Sequence, residues 1–476
     1  MGCSALGPQL NKRAAWTTGL VFSVLSTGGG GGGGGLTSIT ETLLTASPNN
    51  IVNVEQLAVS AGVGSTRVDI NLMTKGNGVL FLGPAPDGGT GGGGSRVGAV
   101  DSVDFQVSRS AANQVNKGVR SFMGGKNNEI FNTNSESDFC FGNGHYLQGA
   151  GGNVMLGGAG NVIGPAGNFS ASNCFLGGGS ANSSIANGGA HALVGGGSNT
   201  LSGGSGSGII GGNGHYVTGG SYNFIGGGRL TAMSGGGSQN TSIGGFNNAN
   251  YSITGSFNCQ IGCQTSPLTG SGNFNMMLGC NSSNVSGDSN FVNGGVNAVS
   301  GNNNFVIGYT HTADGSYCSM TGAFGAARGA FGLRLHTATR RVANGDQQSR
   351  FGVFVAQTTN ATVTALTTDA AVPSATNQLK LITASVYKVK GQVVGLNRAT
   401  SDVCSFDFSA TLKNVGGTVT VVGTPTVTQQ AADSALTATA VTITADNVLK
   451  CVSINVAGIA ATTIDWVASA ETVEAA

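Results

Sequence analysis

The segment Gly142–Gly158 reads GNGHYLQGAGGNVMLGG, and the segment Gly212–Gly228 reads GNGHYVTGGSYNFIGGG. Both copies end on an aliphatic residue followed by glycines, and the second begins 70 residues after the first. The same ending recurs from residue 121 to residue 335 at steps that average about 16 residues, so the two copies lie about four units apart. An internal period of this kind indicates a repeat architecture.

A unit of about 16 residues is too short for a pair of helices, and it fits one coil of a β-solenoid with two short strands and two tight turns. The glycines supply the positive φ angles that such turns need. We therefore predict a parallel β-roll over 121–335. The aliphatic or aromatic residues that close each unit, here called the anchors, are predicted to point into its core: Met123, Phe141, Leu156, Leu176, Val194, Ile210, Ile225, Ile243, Ile261, Leu278, Val292 and Ile307.

Residues that alternate with the anchors along a strand are expected to point outward. Many of them are nevertheless apolar, and a row of outward phenylalanines would form an exposed patch that soluble proteins cover with a partner. Self-association is the simplest cover, and we predict an intertwined homotrimer of parallel rolls. The residues predicted to lie on its axis are Phe175, Phe224 and Phe291.

The composition divides the rest of the chain. Residues 1–35 form a leader that ends in the glycine octet Gly28–Gly35, a flexible joint, and 36–120 are predicted as a β-rich shaft and neck. Residues 336–476 carry alternating Val and Thr runs with few glycines, which predicts an antiparallel β-sandwich-like tip domain. The expected fold class is all-β.

Several functions are disfavoured by composition. Glycine accounts for 84 of 476 residues, charged residues make up 9%, and the formal net charge is +1. Such a chain has no field that would attract nucleic acid or an anionic membrane, and its apolar stretch Gly19–Leu25 is too short for a membrane span. The GxGxxG match at Gly206–Gly211 lies inside the repeat, so no cofactor is predicted.

The order of these parts resembles the modular tail-fibre proteins of tailed bacteriophages. The resemblance rests on KGNGVL at Lys75–Leu80, on the neck AVDSVDFQVSRSAANQVNKGVR leading into SFMGGKNN at Ser121–Asn128, and on the junction GDQQS at Gly345–Ser349. In that family a glycine-rich roll similar to the heads of trimeric bacterial adhesins precedes a β-rich terminal module. Gln347 stands where that junction usually has alanine.

This resemblance implies a structural virion protein, assembled in the host cytoplasm, that attaches the phage to a host-surface glycan or lipopolysaccharide. The N-terminal region would dock on other tail or baseplate proteins. Two alternatives remain: a glycan-depolymerising tailspike, and a bacterial trimeric surface adhesin. Glycan cleavage needs two neighbouring carboxylates, and the roll offers only Asp288 and Asp314 after Gly142, so no enzyme activity is predicted.

Two sets of residues are weak metal-site candidates. His145 and His215 occupy equivalent corners, where a ring of three imidazoles around a three-fold axis would hold an ion; a hydrogen-bonded corner histidine is the favoured interpretation. Cys259, Cys263 and Cys280 lack the spacing of a zinc site, so we interpret them as core thiols, and no metal is predicted. Arg340 and Arg341 either pair with Asp346 of a neighbouring chain or form a solvated turn.

Overall fold

The computed structural model describes residues 39–44, 54–59, 79–82, 101–111, 113–131, 136–164, 171–185, 189–247, 251–252, 255–266, 268 and 272–476. The leader and joint predicted over 1–35 lie outside these residues. The chain divides into two compact units, Met1–Met73 and Thr74–Ala476. In the first unit, strands Ile39–Leu44 and Val54–Val59 pair antiparallel.

The second unit is dominated by a parallel β-solenoid of about 16 residues per coil, which confirms the predicted roll. Each coil contributes one strand to a major sheet, in which every strand lies in register beside the strand of the next coil. The strands of the major sheet are Val79–Leu82, Ser102–Ser108, Phe122–Lys126, Phe139–Asn143, Val154–Ala159, Phe175–Gly177, Ala192–Val194, Gly208–Ile210, Phe224–Gly226, Thr241–Ile243, Cys259–Ile261, Met276–Asn281, Phe291–Gly295, Phe305–Tyr309, Ser319–Ala323 and Arg334–Thr337.

In most coils a shorter strand joins a minor sheet on the other side of the core, which has an eight-stranded and a three-stranded part. These strands are Glu129–Ile130, Tyr146–Leu147, Val162–Ile163, Ser183–Ser184, Thr200–Leu201, Tyr216–Thr218, Ala232–Ser234 and Tyr251–Ser252, followed by Asn284–Val285, Ala298–Val299 and Thr312–Ala313. Where the side chains are described, at least one residue per strand points inward and is buried, as Leu147 and Val217 are. Because both sheets contribute one inward side chain per coil, the core is a thin column that runs the length of the roll.

The parallel stacking begins before residue 121. Strand Ser102–Ser108 pairs in parallel with Val79–Leu82 on one side and with Phe122–Lys126 on the other. The end of the predicted neck, over residues 101–120, therefore contributes a coil strand. In the described residues the only helical element is the 3-10 turn Ser434–Leu436, and no helix there is long and apolar enough to cross a membrane.

Two antiparallel sheets form the tip domain. One contains, in spatial order, Ser349–Thr358, Ile464–Ala475, Ser385–Leu396, Val403–Val415 and Thr418–Ala432. In the other, Val363–Ala365, Leu379–Lys380 and Ala440–Asp446 all pair with Cys451–Ala457. The central strand of the second sheet is buried from Cys451 to Val456, and Trp466 and Phe354 of the first sheet belong to the same core.

The tip domain is joined directly to the end of the roll. Strand Ser349–Thr358 pairs antiparallel with the last coil strand, so that Leu335 lies opposite Arg350. Beneath this contact Glu474 bonds the guanidinium groups of Arg328 and Arg350, and the side chains of Arg350 and Glu474 are completely buried. The first tip strand thereby closes the open edge of the solenoid, as a capping element must.

Candidate functional surfaces

The structure corrects the inward direction predicted for most anchors. All twelve lie in strands of the major sheet, but only Met123, Leu176, Ile225 and Val292 are buried in the core. The other eight point outward; Ile210, for example, is 51% exposed while its neighbour Ile209 is buried. The inward row of the major sheet is Met123, Cys140, Met155, Leu176, Leu193, Ile209, Ile225, Ser242, Gln260, Met277, Val292, Val306, Met320 and Leu335.

The error has a simple local cause. The first glycine after the core residue follows it directly in some coils, as in Leu176–Gly177, and in others an outward residue intervenes, as in Leu193–Val194–Gly195. Counting back from the glycine to an apolar residue therefore selects the inward residue in the first kind of coil and the outward residue in the second, except where the intervening residue is polar, as Asn293 is after Val292. The predicted anchors Phe141, Leu156, Val194, Ile210, Ile243, Ile261, Leu278 and Ile307 are of the second kind.

These outward anchors and the predicted axis phenylalanines share one surface, which we call the outer face. It consists of the residues immediately before and after each core residue, for example Phe175 and Val194. From Phe139 to Thr321 no charged residue occupies these outward positions. Its exposed apolar members are Phe139, Leu156, Phe175, Val194, Ile210, Ile243, Ile261, Met276, Phe305 and Ile307. Phe224 and Phe291 lie on the same face and are half-buried.

One edge of the outer face carries aromatic residues in an unusual backbone conformation. Three positions before the core residue, the chain adopts a positive φ in every coil from Arg120 to Gly332. Tyr222, Phe257, Phe274 and Tyr317 occupy this position with φ between 58° and 62°, and between 50% and 63% of each residue is exposed. We call these four residues the aromatic corner. The rings of Phe257 and Phe274 stack with centroids 5.0 Å apart.

The opposite edge is formed by glycine alone. Two positions after the core residue, every coil from Gly125 to Gly322 has a glycine with positive φ. In eight consecutive coils a Cβ added to this glycine would meet nothing within 4 Å. This edge, the glycine corner, comprises Gly157, Gly178, Gly195, Gly211, Gly227, Gly244, Gly262 and Gly279.

Buried polar ladders hold the coils together. In one, the backbone N–H of Asn258 bonds to Asn240 Oδ1, and the N–H of Asn275 bonds to Asn258 Oδ1. His145 and His215 stand in a second such ladder, where Nδ1 of His145 accepts the N–H of Asn161 and Nδ1 of His215 accepts that of Thr231. Both imidazoles are buried within one chain, and burial lowers their pKa.

The remaining candidate ligands are also used within the chain. Cys263 and Cys280 are buried, whereas Cys259 is half-buried on the outer face beside the inward Gln260, so its prediction as a core thiol is wrong. Among the described residues no three His, Cys, Asp or Glu side chains gather where they would hold a metal ion. Asp288 accepts the N–H of Asn273, and Asp314 accepts the N–H of Gly329, each at a coil corner.

The basic turn before the tip folds around its own acid. The carboxylate of Asp346 accepts the backbone N–H groups of Arg341, Val342 and Ala343. Asp346 is buried, so its carboxylate is not available to a neighbouring chain as one of the two predicted alternatives requires. The guanidinium of Arg340 lies over the Phe324 ring, 4.5 Å from its centroid.

The tip domain has a polar cavity of about 510 Å³ that the sequence did not indicate. It lies at the end of strand Ser349–Thr358 that is remote from the roll, roughly 30 Å away along the strand. Two loops, 397–402 and 458–463, form its walls. Its lining consists of Gln357, Asn397, Arg398, Ala399, Thr400, Ala461, Thr462, Thr463 and Asp465.

Asp465 organises the polar groups of this cavity. Its Oδ1 accepts the Gln357 amide at 2.8 Å, and its Oδ2 accepts Nε of Arg398. These two bonds lower the pKa of the Asp465 carboxyl, which therefore stays ionised. The side chain of Arg398 is 78% exposed and is held at Nε, so its two terminal amino groups remain toward solvent. Planar amide, carboxylate and guanidinium groups beside threonine hydroxyls are suited to binding the hydroxyls of a sugar.

Comparison of the chain with known proteins gives no family to which these surfaces could be related. No protein-family model matches the chain, and no curated protein is significantly similar to it.

Proposed function

We propose that this chain is the subunit of a homotrimeric phage tail fibre, a virion protein that attaches to a glycan on the host surface. The observation that carries the proposal is the position of the tip cavity: a long, nearly uncharged roll ends in a tip domain of two antiparallel sheets, whose polar cavity lies at the end remote from the roll. A spacer that presents a polar cavity at its end has the arrangement an attachment protein needs.

The cavity residues set the class of ligand. Arg398 and Asp465 neutralise each other, and Gln357, Asn397, Thr400 and Thr463 are uncharged. A neutral sugar with adjacent hydroxyls is therefore the ligand class, because a strongly charged ligand would find no net opposite charge. A fibre with three weak sites would bind a repetitive polysaccharide more tightly than a single site does, because several sites bind the same polymer at once.

The test uses full-length protein carrying a fluorescent label, a panel of bacterial strains and the surface polysaccharide extracted from each. We expect at least one strain to bind, and Arg398→Ala to weaken binding to its polysaccharide at least tenfold. Lys390→Ala is the control, since Lys390 forms an exposed pair with Glu471 outside the cavity. Unchanged binding by Arg398→Ala would overturn the cavity assignment, and release of reducing sugar would favour the tailspike alternative.

A further inference from the structure

The glycine corner is unusual because eight consecutive coils have glycine, and no other residue, at this edge of the outer face. Its eight glycines have φ between 56° and 70°, the left-handed region that favours glycine. Elsewhere in this roll bulky side chains also occur at a similar positive φ, such as Leu230 with φ 53° and Val296 with φ 56°. A positive φ by itself therefore does not require glycine in this roll.

Steric exclusion by the chain itself does not explain it either. A Cβ at Gly211, Gly227 or Gly244 would meet nothing within 4 Å. By contrast, a Cβ at Gly301 would lie 1.6 Å from a carbonyl oxygen of the next coil, so that glycine has a reason within its own chain. The space beside the glycine corner is therefore open to a partner outside the chain.

The aromatic corner, on the opposite edge of the outer face, is unusual because its large side chains are exposed at a left-handed backbone position. Every coil has a positive φ at this position, where glycine or asparagine is less strained than a bulky residue. Tyr222, Phe257 and Phe274 accept that strain and still leave half or more of their surface exposed. Phe257 and Phe274 stack on each other within the chain, and the exposed half or more of each residue is open to a partner.

The two corners border the same face, and three coils have a member of each. Phe257 and Gly262 flank the core residue Gln260, and Phe274 and Gly279 flank Met277. Between them lies the apolar outer face, which has no charge from Phe139 to Thr321. The roll thus presents large side chains along one edge, a smooth backbone along the other and an apolar surface between.

We infer that the occupant of this face is a second copy of the chain, with the aromatic corner of one copy packed onto the glycine corner of the next. The assignment rests on the proposed homotrimer and defines its contact. In a cyclic arrangement of parallel rods, one edge of each face meets the opposite edge of its neighbour, and the contacts close a ring. The aromatic corner of each copy then contacts the glycine corner of its neighbour.

Length and area agree with this occupant. Some thirteen coils at about 4.8 Å each give a face about 60 Å long, and six residues of width add about 15 Å. This footprint of roughly 900 Å² per copy reaches the size of a stable interface. A partner that covers it must be equally long and uncharged, and the outer face of the roll itself has both properties.

The test measures the mass of the full-length protein by sedimentation equilibrium over a range of micromolar concentrations. In the double variant Gly227→Asn/Gly262→Asn, asparagine tolerates the left-handed backbone but adds a side chain to the glycine corner. The matched control is Gly144→Asn/Gly160→Asn, two glycines with φ of 65° and 62° and no atom near their Cβ positions, which lie on a different corner.

We expect the wild type and the control to associate equally, and the glycine-corner variant to associate at least tenfold more weakly. Phe257→Asn/Phe274→Asn should also weaken association while its unfolding temperature stays equal or rises, because the strain is relieved. A wild type that is monomeric throughout, or a glycine-corner variant that assembles like the control, overturns the inference. Polysaccharide binding by the tip cavity is measured separately and survives failure of this contact.

Discussion

Nδ1 of His145 accepts the backbone N–H of Asn161 on the next coil at 3.2 Å, and Nε2 lies 2.9 Å from the carbonyl oxygen of Gly157. In the adjacent coils of this ladder, asparagine Oδ1 accepts the corresponding N–H. The imidazole therefore replaces an asparagine side chain, and it does so only in the neutral form, with its proton on Nε2. Protonation would place an N–H on Nδ1 against another N–H.

Stability should consequently fall as the pH is lowered through the titration range of these histidines. Burial lowers the pKa of His145, His191, His215 and His311 in the folded protein. Below a pH of about 6.5 the unfolded chain therefore binds more protons than the folded chain, and the contribution to stability, which is complete above that pH, is lost as the pH falls. We expect the thermal unfolding temperature of the wild type to reveal this loss of stability as the pH falls.

The variant His145→Asn/His215→Asn isolates this effect. Asparagine keeps the acceptor and does not titrate, so the variant should lose less stability than the wild type between pH 7 and pH 5. Equal losses in the two proteins would contradict the role assigned to Nδ1. The comparison is needed because burial raises the pKa of Asp138 and Glu129 to about 7. These two carboxyl groups therefore make the folded protein more stable as the pH falls, which opposes the effect of the histidines.

Asp138 supplies a second prediction, since it occupies a ladder position held by asparagine in several other coils. Its Oδ1 accepts the N–H of Asn153, and burial raises its pKa from 3.8 to about 7. The acid is therefore favoured in its protonated form, and its contribution to stability is lost as the pH rises from about 4 to 7. Asp138→Asn should raise the free energy of unfolding at pH 8 by about 1–3 kcal/mol.

The gain should shrink toward pH 4, where aspartic acid and asparagine both carry a donor and an acceptor. Asp314→Asn is the control, because Asp314 makes the same kind of bond to Gly329 at an exposed corner and should change little. Denaturant unfolding at the two pH values measures both effects. A constant difference between Asp138→Asn and wild type would refute the titration argument.

The period of the glycines was enough to predict the coil, its length and the parallel stacking, because a turn with positive φ must recur once per coil. The phase within each strand was not recoverable in the same way, as the different glycine spacing after Leu176 and Leu193 shows. The tip cavity was hidden for another reason. Arg398 and Asp465 are 67 residues apart and meet only because strands Ser385–Leu396 and Ile464–Ala475 are neighbours.

The buried ion cluster at the roll–tip junction should be sensitive to loss of its acid. Glu474 bonds both Arg328 and Arg350, and Arg350 is wholly buried, so Glu474→Gln would leave two cations without a counter-charge. Breaking such a pair costs about 3–5 kcal/mol. Glu471→Gln, in the exposed pair with Lys390, should cost less than about 1 kcal/mol. Similar losses of unfolding free energy for the two variants, measured by chemical denaturation, would argue against a stabilising role of the buried ion cluster.

The close approach of successive coils at Gly301 gives the last prediction. A Cβ at this glycine would lie 1.6 Å from the carbonyl oxygen of Gly315, and backbone cannot move aside without separating the two coils. Gly301→Ala should therefore lower the free energy of unfolding by more than about 2 kcal/mol, with faster hydrogen exchange in the flanking coil strands. Gly236→Ala is the matched control, because nothing lies within 4 Å of its Cβ position and its φ is not in the left-handed region. That substitution should be neutral or stabilise by up to about 1 kcal/mol. Comparable losses in the two variants would show that general flexibility, and not contact between coils, requires glycine at position 301.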